Sequence, residues 1–287
     1  AAANLPYVQN ETGRVTKGAA QALLGKVYLY WAEQEWSTNS GYTDEEKLTK
    51  SANVLEDLIN NGPHRLLTTA EYPTLFERTN ENNVESVFEV QYTDLEGAGF
   101  GCLQCSEGNI AVGFNGIRSY NGPLFESGFS FNVPVQEVVD EFEDGDLRLE
   151  TAILDIEAWS NETGATYTEG NEHTGFYNRK YISRQGDTNI GDANLTNPNN
   201  YRAIRFADVL LMAAEALNRG GIDDARAQLY LNQVRERAFG NSDNNVSATG
   251  SSLTNAIYHE RRVELVGEGH HFFDLVRTGR AAQEIDG

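Results

Sequence analysis

The sequence predicts a mostly α fold, with helical hairpins toward both ends and a large loop-rich insertion between them carrying a few short strands. Three observations predict it. Apolar residues recur at helical spacing near both ends of the chain. The middle, about 63–200, loses that period and fills with Gly, Asn, Tyr and Phe. At 287 residues, with 39% hydrophobic and 23% charged, the chain can bury a core without staples. We read it as one domain over 1–287, with helical parts at 14–62 and 201–280 and a loop-rich region at 63–200.

The first 13 residues read as an irregular lead-in. A helix is predicted over 14–35, with Ala19, Leu23, Val27 and Tyr30 as its apolar stripe. Gly18, Ala19, Ala20, Ala22 and Gly25 crowd the same helix. Glycine there costs about 1 kcal/mol against alanine, so it marks close helix packing. The second helix, 43–60, carries the stripe Leu48, Ala52, Leu55 and Ile59. Thr43 or Asp44 caps its start, and Asn61-Gly62-Pro63 stops it.

In the middle, the alternation of V-E-S-V-F-E-V-Q-Y over 84–92 predicts a strand. A short helix follows Pro134, over 135–142, and Asp144-Gly145 makes a turn, after which Asp146 caps or pairs with Arg148. The stretch 163–200 reads as loop, with one candidate strand near 177–182. Helical period returns at Ala203, with the stripe Phe206, Leu210, Ala213 and Leu217 ending at Gly220-Gly221. Asp223 caps the next helix, whose stripe is Ala227, Leu231, Val234 and Ala238, and Gly240-Asn241 ends it. A polar loop spans 242–252. A last helix covers 252–266, followed by Gly267-Glu268-Gly269 and a short apolar turn over 270–276. Ala213, Ala216, Ala225 and Leu229 have the small-residue spacing of tetratricopeptide repeats, units that bury their apolar faces only by stacking.

The formal charge is −21. Nucleic acid is excluded as a partner, because such binding needs Lys and Arg to neutralise phosphates. An anionic membrane surface is disfavoured for the same reason. No stretch approaches the ~20 apolar residues that span a bilayer. Ala1-Ala2-Ala3-Asn4-Leu5-Pro6 lacks a basic start and an apolar core, so the chain as given reads as soluble, or as a mature piece of an exported protein. The two cysteines, Cys102 and Cys105, are spaced C-x-x-C among glycines. A local disulfide, free thiols and a metal or redox site all remain open.

No cofactor is expected, although calcium is possible. The acidic run at Asp140 fails the EF-hand pattern, with Phe142 third and Thr151 twelfth. Asp187, Asn189, Asp192 and Asn194 form the remaining calcium candidate. Glu268, His270, His271 and Asp274 lack the spacing of a zinc site. They read instead as a structural corner where Glu260, Arg261, Arg262 and Glu264 pair with Asp274 and Arg277. There is no G-x-S-x-G, and no catalytic residue is assigned.

Four blocks together resemble the SusD/RagB family. They are R-V-T-K-G-A-A-Q-A-L-L-G-K-V-Y-L-Y from Arg14, E-S-V-F-E-V-Q-Y from Glu85, and P-V-Q-E-V-V-D-E-F-E-D-G-D-L-R from Pro134. The fourth runs from I-R-F-A-D-V-L-L-M-A-A-E-A-L-N-R at Ile204, through L-N-Q-V-R-E-R-A at Leu231, to I-Y-H-E-R-R-V-E-L-V-G-E-G-H-H-F-F-D-L-V-R-T-G-R at Ile257. His271 stands where relatives usually carry Arg. The family's lipobox cysteine, signal peptide and N-terminal repeats are not in these residues, so the likeness is to the C-terminal half to two thirds of a member. The resemblance implies a SusD-like fold and no enzyme activity. It implies an oligosaccharide-binding surface lipoprotein on the extracellular face of the outer membrane. Its partner is a SusC-like TonB-dependent transporter, and it meets the membrane only through a lipid anchor not present in this chain.

Within that reading, loop aromatics are the candidates for stacking on sugar faces, and Asn, Arg and Asp for hydrogen-bonding hydroxyls. The candidates include Phe100, Phe114, Phe125, Phe129, Phe131 and Phe176. Trp159 and Tyr120 lead, because polar residues flank them: Arg118 and Asn121 beside Tyr120, Ser160 and Asn161 beside Trp159. Tyr167 and Tyr177 complete the set. The rival readings are a peptide-binding member of the family, a protein-interaction scaffold and a glycoside hydrolase. An aromatic platform in the loop region favours a glycan. A concave helical groove favours peptide or protein, and a pocket with two carboxylates favours hydrolysis.

Overall fold

The computed structural model describes residues 2–32 and 41–285. In chain order its regular elements are α1 (Lys17–Trp31), α2 (Asp44–Asn61), β1 (Ser86–Val90), α3 (Ile110–Phe114), β2 (Ile117–Arg118), β3 (Ser127–Gly128) and α4 (Gln136–Asp140). There follow α5 (Leu149–Ala152), β4 (Ile153–Asp155), α6 (Ile156–Thr163), β5 (Phe176–Asn178), β6 (Tyr201–Arg205), α7 (Phe206–Arg219), α8 (Asp224–Phe239), α9 (Gly250–Glu264), α10 (His271–Arg277) and α11 (Ala281–Ile285). Residues 33–35 of the first expected helix lie outside the described residues. The mostly α character is as the sequence predicts. The chain divides into two compact units, one of 1–70, 82–88 and 202–287, the other of 71–81 and 89–201.

The first unit is helical. Its centre is α7, buried from Phe206 to Asn218, with α2, α8 and α9 packed around it. The expected stripes of α2, α7 and α8 face this core, with Ile59 at its edge and Ala238 buried outside it. Thr43 and Glu46 form a capping box on α2, Asp223 caps α8, and Gly240 ends α8 at φ 71°. The two N-termini formed where side chains could bond the unpaired backbone N–H groups, and α8 ends where the left-handed Gly240 donates its own N–H to the Glu236 carbonyl.

The face of α1 departs from expectation. Gly18, Ala22, Gly25 and Leu29 are buried, while Leu23 and Val27 are about half exposed. Distance to α2 is the reason. A Cβ on Gly25 would lie 2.5 Å from Leu55 Cγ, and the Ser51 hydroxyl donates to the Gly25 carbonyl at 2.8 Å. Only small residues admit that approach, so the larger apolar side chains of α1 turn outward. They line a groove with Leu5, Val15, Leu24, Phe88 and Ile204.

Charges are buried beside this core and are paired. Arg205 meets Glu85 and Glu268 at 2.7 Å and Glu264 at 2.9 Å, and Arg237 meets Glu264 at 2.6 Å. A second set joins Arg261 to Asp208 at 2.8 Å and to Asp274 at 3.0 Å, and Arg277 to Asp274 and Glu215 at 2.7 Å each. The expected corner is therefore real around Arg261, Asp274 and Arg277, but Arg262 is not in it. Arg262 meets Glu284 at 3.3 Å near the surface, Glu260 pairs with Arg235, and Glu264 belongs to the Arg205 set.

Burial pushes the Asp274 carboxyl up, but Arg261 and Arg277 outweigh it and hold it at about 2. Asp208 and Glu215 are likewise held low against the cost of burial, chiefly by Lys26 and Arg277 respectively. A carboxylate with a depressed folded pKa contributes stability that is present above its unfolded value and lost as pH falls through the folded one. The melting temperature should therefore fall steeply between about pH 4 and about pH 2. Circular dichroism melts across that range check it, and a flat profile down to about pH 2 would refute the pairing.

The second unit holds short elements and long loops. β2 and β3 pair in parallel, Ile117 opposite Ser127 and Arg118 opposite Gly128. β4 and β5 pair antiparallel, with Leu154 opposite Tyr177. The sequence suggested a strand near β5 but not its partner β4, nor α3 and α6. A core of Ile117, Phe125, Leu154, Ile156, Tyr177 and Ile182 lies among them. Cys102 and Cys105 are joined by a disulfide. Buried Arg148 and Asp146 pair at 2.6 Å beside the Asp144-Gly145 turn, where Gly145 has φ 84°.

Candidate functional site

The second unit presents a cluster of four phenylalanines. Its base is where the C-terminal end of α3 and the turn after it meet the segment after β3. Phe129 N–H donates to Gly113 O at 3.2 Å, Ser130 N–H to Gly116 O at 2.7 Å, and Phe131 N–H to Phe114 O at 2.9 Å. Only glycine allows so close a contact, since a Cβ on Gly128 would sit 2.3 Å from the Gly113 carbonyl oxygen. Ser130 and Asn132, on either side of Phe131, have φ of 57° and 53°. Left-handed backbone is sparsely populated by residues other than glycine, and it persists where the surroundings over-determine it.

The rings interlock above that base. Phe114 lies 5.4 Å from Phe129 and 5.9 Å from Phe131, centroid to centroid. Phe129 and Phe131 are 6.4 Å apart with planes 19° from parallel, and Phe100 meets Phe129 edge-on at 6.4 Å. Phe100 and Phe131 are each 56% exposed. Single exposed apolar residues need no explanation, but a contiguous aromatic patch on a loop surface marks a binding site. Uncharged, slightly offset ring faces suit the C–H faces of a pyranose.

The six residues singled out from the sequence fall in three places. Arg118 and Tyr177 support the platform from behind. Arg118 Nη2 donates to Phe129 O at 2.8 Å, and its backbone N–H donates to Ser130 Oγ at 3.0 Å. Ser130 Oγ shares a hydrogen bond of 3.0 Å with the buried Tyr177 hydroxyl. Trp159 and Tyr120 are a bonded pair: Trp159 Nε1–H donates to the Tyr120 hydroxyl at 2.8 Å, which donates to Pro123 O at 2.6 Å. Tyr120 is 8% exposed and packs in the core with Trp159 at its edge. Tyr167 packs near His173, and Asn121 is exposed, its backbone bridged to Thr166.

The four phenylalanines were within the aromatic class named from the sequence but not ranked first. Phe129 and Phe131 stand two apart in sequence, but the left-handed backbone of Ser130 between them, not an extended strand, sets their rings side by side, and nothing in the sequence marked that turn. Phe100 reaches them only through tertiary folding.

The calcium candidates are engaged in loop bonds. Asp187 accepts from Arg184 N–H, Asp94 from Asn189 N–H, and Asp192 from Asn194. Among the described residues no three acidic, histidine or cysteine side chains converge as a metal site. None of the described helices is long and apolar enough to cross a membrane.

Comparison with known proteins gives a consistent set of relatives. The SusD family model matches residues 34–287. A SusD-like protein of Bacteroides ovatus is 29% identical over 286 residues, covering 93% of this chain and 47% of that protein. A laminarin binding SusD-like protein superimposes with a TM-score of 0.83 at 37% identity, over 99% of this chain and 59% of its own. Surface glycan-binding protein A from Bacteroides thetaiotaomicron, solved in complex with laminarihexaose, gives 0.79 at 26% identity, over 97% of this chain and 58% of its own. The chain thus spans about half the length of the relatives it matches. With the family pattern running from residue 34 to the last residue and the same fold along nearly all of it, this chain belongs to the SusD family.

Proposed function

We propose that this chain binds oligosaccharide through the Phe100–Phe114–Phe129–Phe131 platform and does not cleave it. The carrying observation is a preassembled, uncharged aromatic surface on the loop-rich unit, two rings of which are more than half exposed. That is the arrangement expected of a glycan binder rather than of a peptide groove. Neighbours that bind laminarin and laminarihexaose support a β-glucan as the ligand class. In the full-length protein the bound sugar passes to a SusC-like TonB-dependent transporter at the outer face of the outer membrane, as the family resemblance implies.

Binding of laminarin, followed by isothermal titration, tests the reading. Affinity should hold between about 0.1 M and about 1 M salt, because screening over about 10 to 3 Å acts on charges and not on stacking. No reducing ends should appear on prolonged incubation. Steep salt dependence would point to a charged ligand, and reducing ends that persist through purification would reassign the protein as a hydrolase.

A further inference from the structure

Trp159 is not part of the platform, yet its ring borders a cleft of about 350 Å³ in the same unit. The cleft lies among α5, β4, α6 and β5, and Phe176 and Arg179 line it with Glu150, Asp155 and Glu162. That volume is at the small end of the ~300–1,000 Å³ typical of ligand sites, room for one or two pyranose rings.

Two features distinguish it from a chance surface hollow. The first is that Trp159 is fixed. Its polar edge is bonded inward to Tyr120, and Tyr120 in turn to Pro123 O, so the indole stands in place before any ligand arrives. Asp155 secures the same helix, accepting from Ala158 N–H at 2.9 Å.

The second is that Arg179, the half-buried cation of the cleft, is uncommitted. Among the described residues, the side chains of Arg179, Glu150 and Glu162 make no hydrogen bond and no ion pair. In the helical unit the buried Arg205, Arg261 and Arg277 are matched to carboxylates at 3 Å or less. Here the half-buried Arg179 lines the cleft beside the exposed carboxylates of Glu150, Asp155 and Glu162, and its side chain is left to a ligand. A guanidinium donates in a fork and a carboxylate accepts twice, so together they complement the vicinal hydroxyls of a neutral sugar. Three carboxylates around one arginine disfavour an anionic ligand.

We infer that this cleft is a second sugar subsite, taking one or two neutral pyranose units against Trp159 and Phe176. The inference rests on the glycan-binding reading and adds a site separate from the platform. Tyr120 acts there as a positioning residue.

Laminaribiose is the probe, short enough to report the cleft alone. The Trp159 indole N–H resonance, assigned by its loss in Trp159→Phe, should shift saturably as laminaribiose is added. It should still respond in Phe131→Ala, in which laminarin binding is weakened. Arg179→Gln should weaken the response about tenfold, the loss of one hydrogen bond to a charged group. An indole that stays still while laminarin binds overturns the subsite and leaves the platform reading intact. So does a response that vanishes with Phe131→Ala. If neither laminarin nor laminaribiose binds, both readings fall together.

Discussion

Replacing Arg205 with alanine should destabilise the helical unit by about 3–5 kcal/mol, the usual cost of removing one partner from a buried ion pair. The guanidinium is fully buried and touches Glu85, Glu264 and Glu268. Burial works against its charge, but Glu268, Glu264 and Glu85 hold its proton far more tightly than usual. Its removal leaves those carboxylates facing each other with less compensation. Thermal melts of the variant beside the parent would show it. Arg262→Ala is the control and should cost less than about 1 kcal/mol, since its pair with Glu284 is near the surface. Equal losses in the two variants would mean that burial does not set the cost.

The double substitution Phe100→Ala and Phe131→Ala should weaken laminarin binding by about 2 kcal/mol or more, roughly thirtyfold in Kd, if these two rings are the hot spots of the surface. Both are more than half exposed, so the fold should melt at nearly the same temperature. Phe114→Ala differs, because Phe114 is more buried and contacts both Phe129 and Phe131. It should lower stability and affinity together. Isothermal titration beside a melt separates the cases. Full affinity in the double variant would place the sugar elsewhere.

Helices α2 and α8 were legible because two independent signals coincided at each: a stripe at helical period, and a cap, Thr43 in one and Asp223 in the other. Which face of α1 is buried was not legible from hydrophobicity, because close approach selected Gly18, Ala22 and Gly25 over Leu23 and Val27. The choice between Arg261 and Arg262 was available. Leu253, Ile257 and Arg261 stand four apart on one face of α9, and Arg262 lies off it. In the loop-rich unit the aromatic class was visible, but the ranking was not. Polar neighbours in sequence drew attention to Tyr120, whereas tertiary pairing buried Tyr120 and left Phe100 and Phe131 outside. Loops lack a repeating geometry, so the fate of each ring depends on partners far along the chain.

The helical unit is assembled from distant stretches, and this has a kinetic consequence. Arg205 reaches Glu85 across 120 residues, Arg226 reaches Glu56 across 170, and Tyr30 reaches Asp274 across 244. Contacts of such separation are slow to form, because loop closure costs entropy before any contact is made. During synthesis, α1 and α2 emerge well before α7, the helix against which Leu48, Leu55 and Leu58 are buried. The contiguous 89–201 segment can collapse in the meantime, which shortens the effective loop that the helices must close. Until α7 to α10 arrive, the apolar face of the α1–α2 hairpin lacks the partners it has in the folded unit, and transiently exposed apolar surface of this kind makes folding intermediates prone to aggregate.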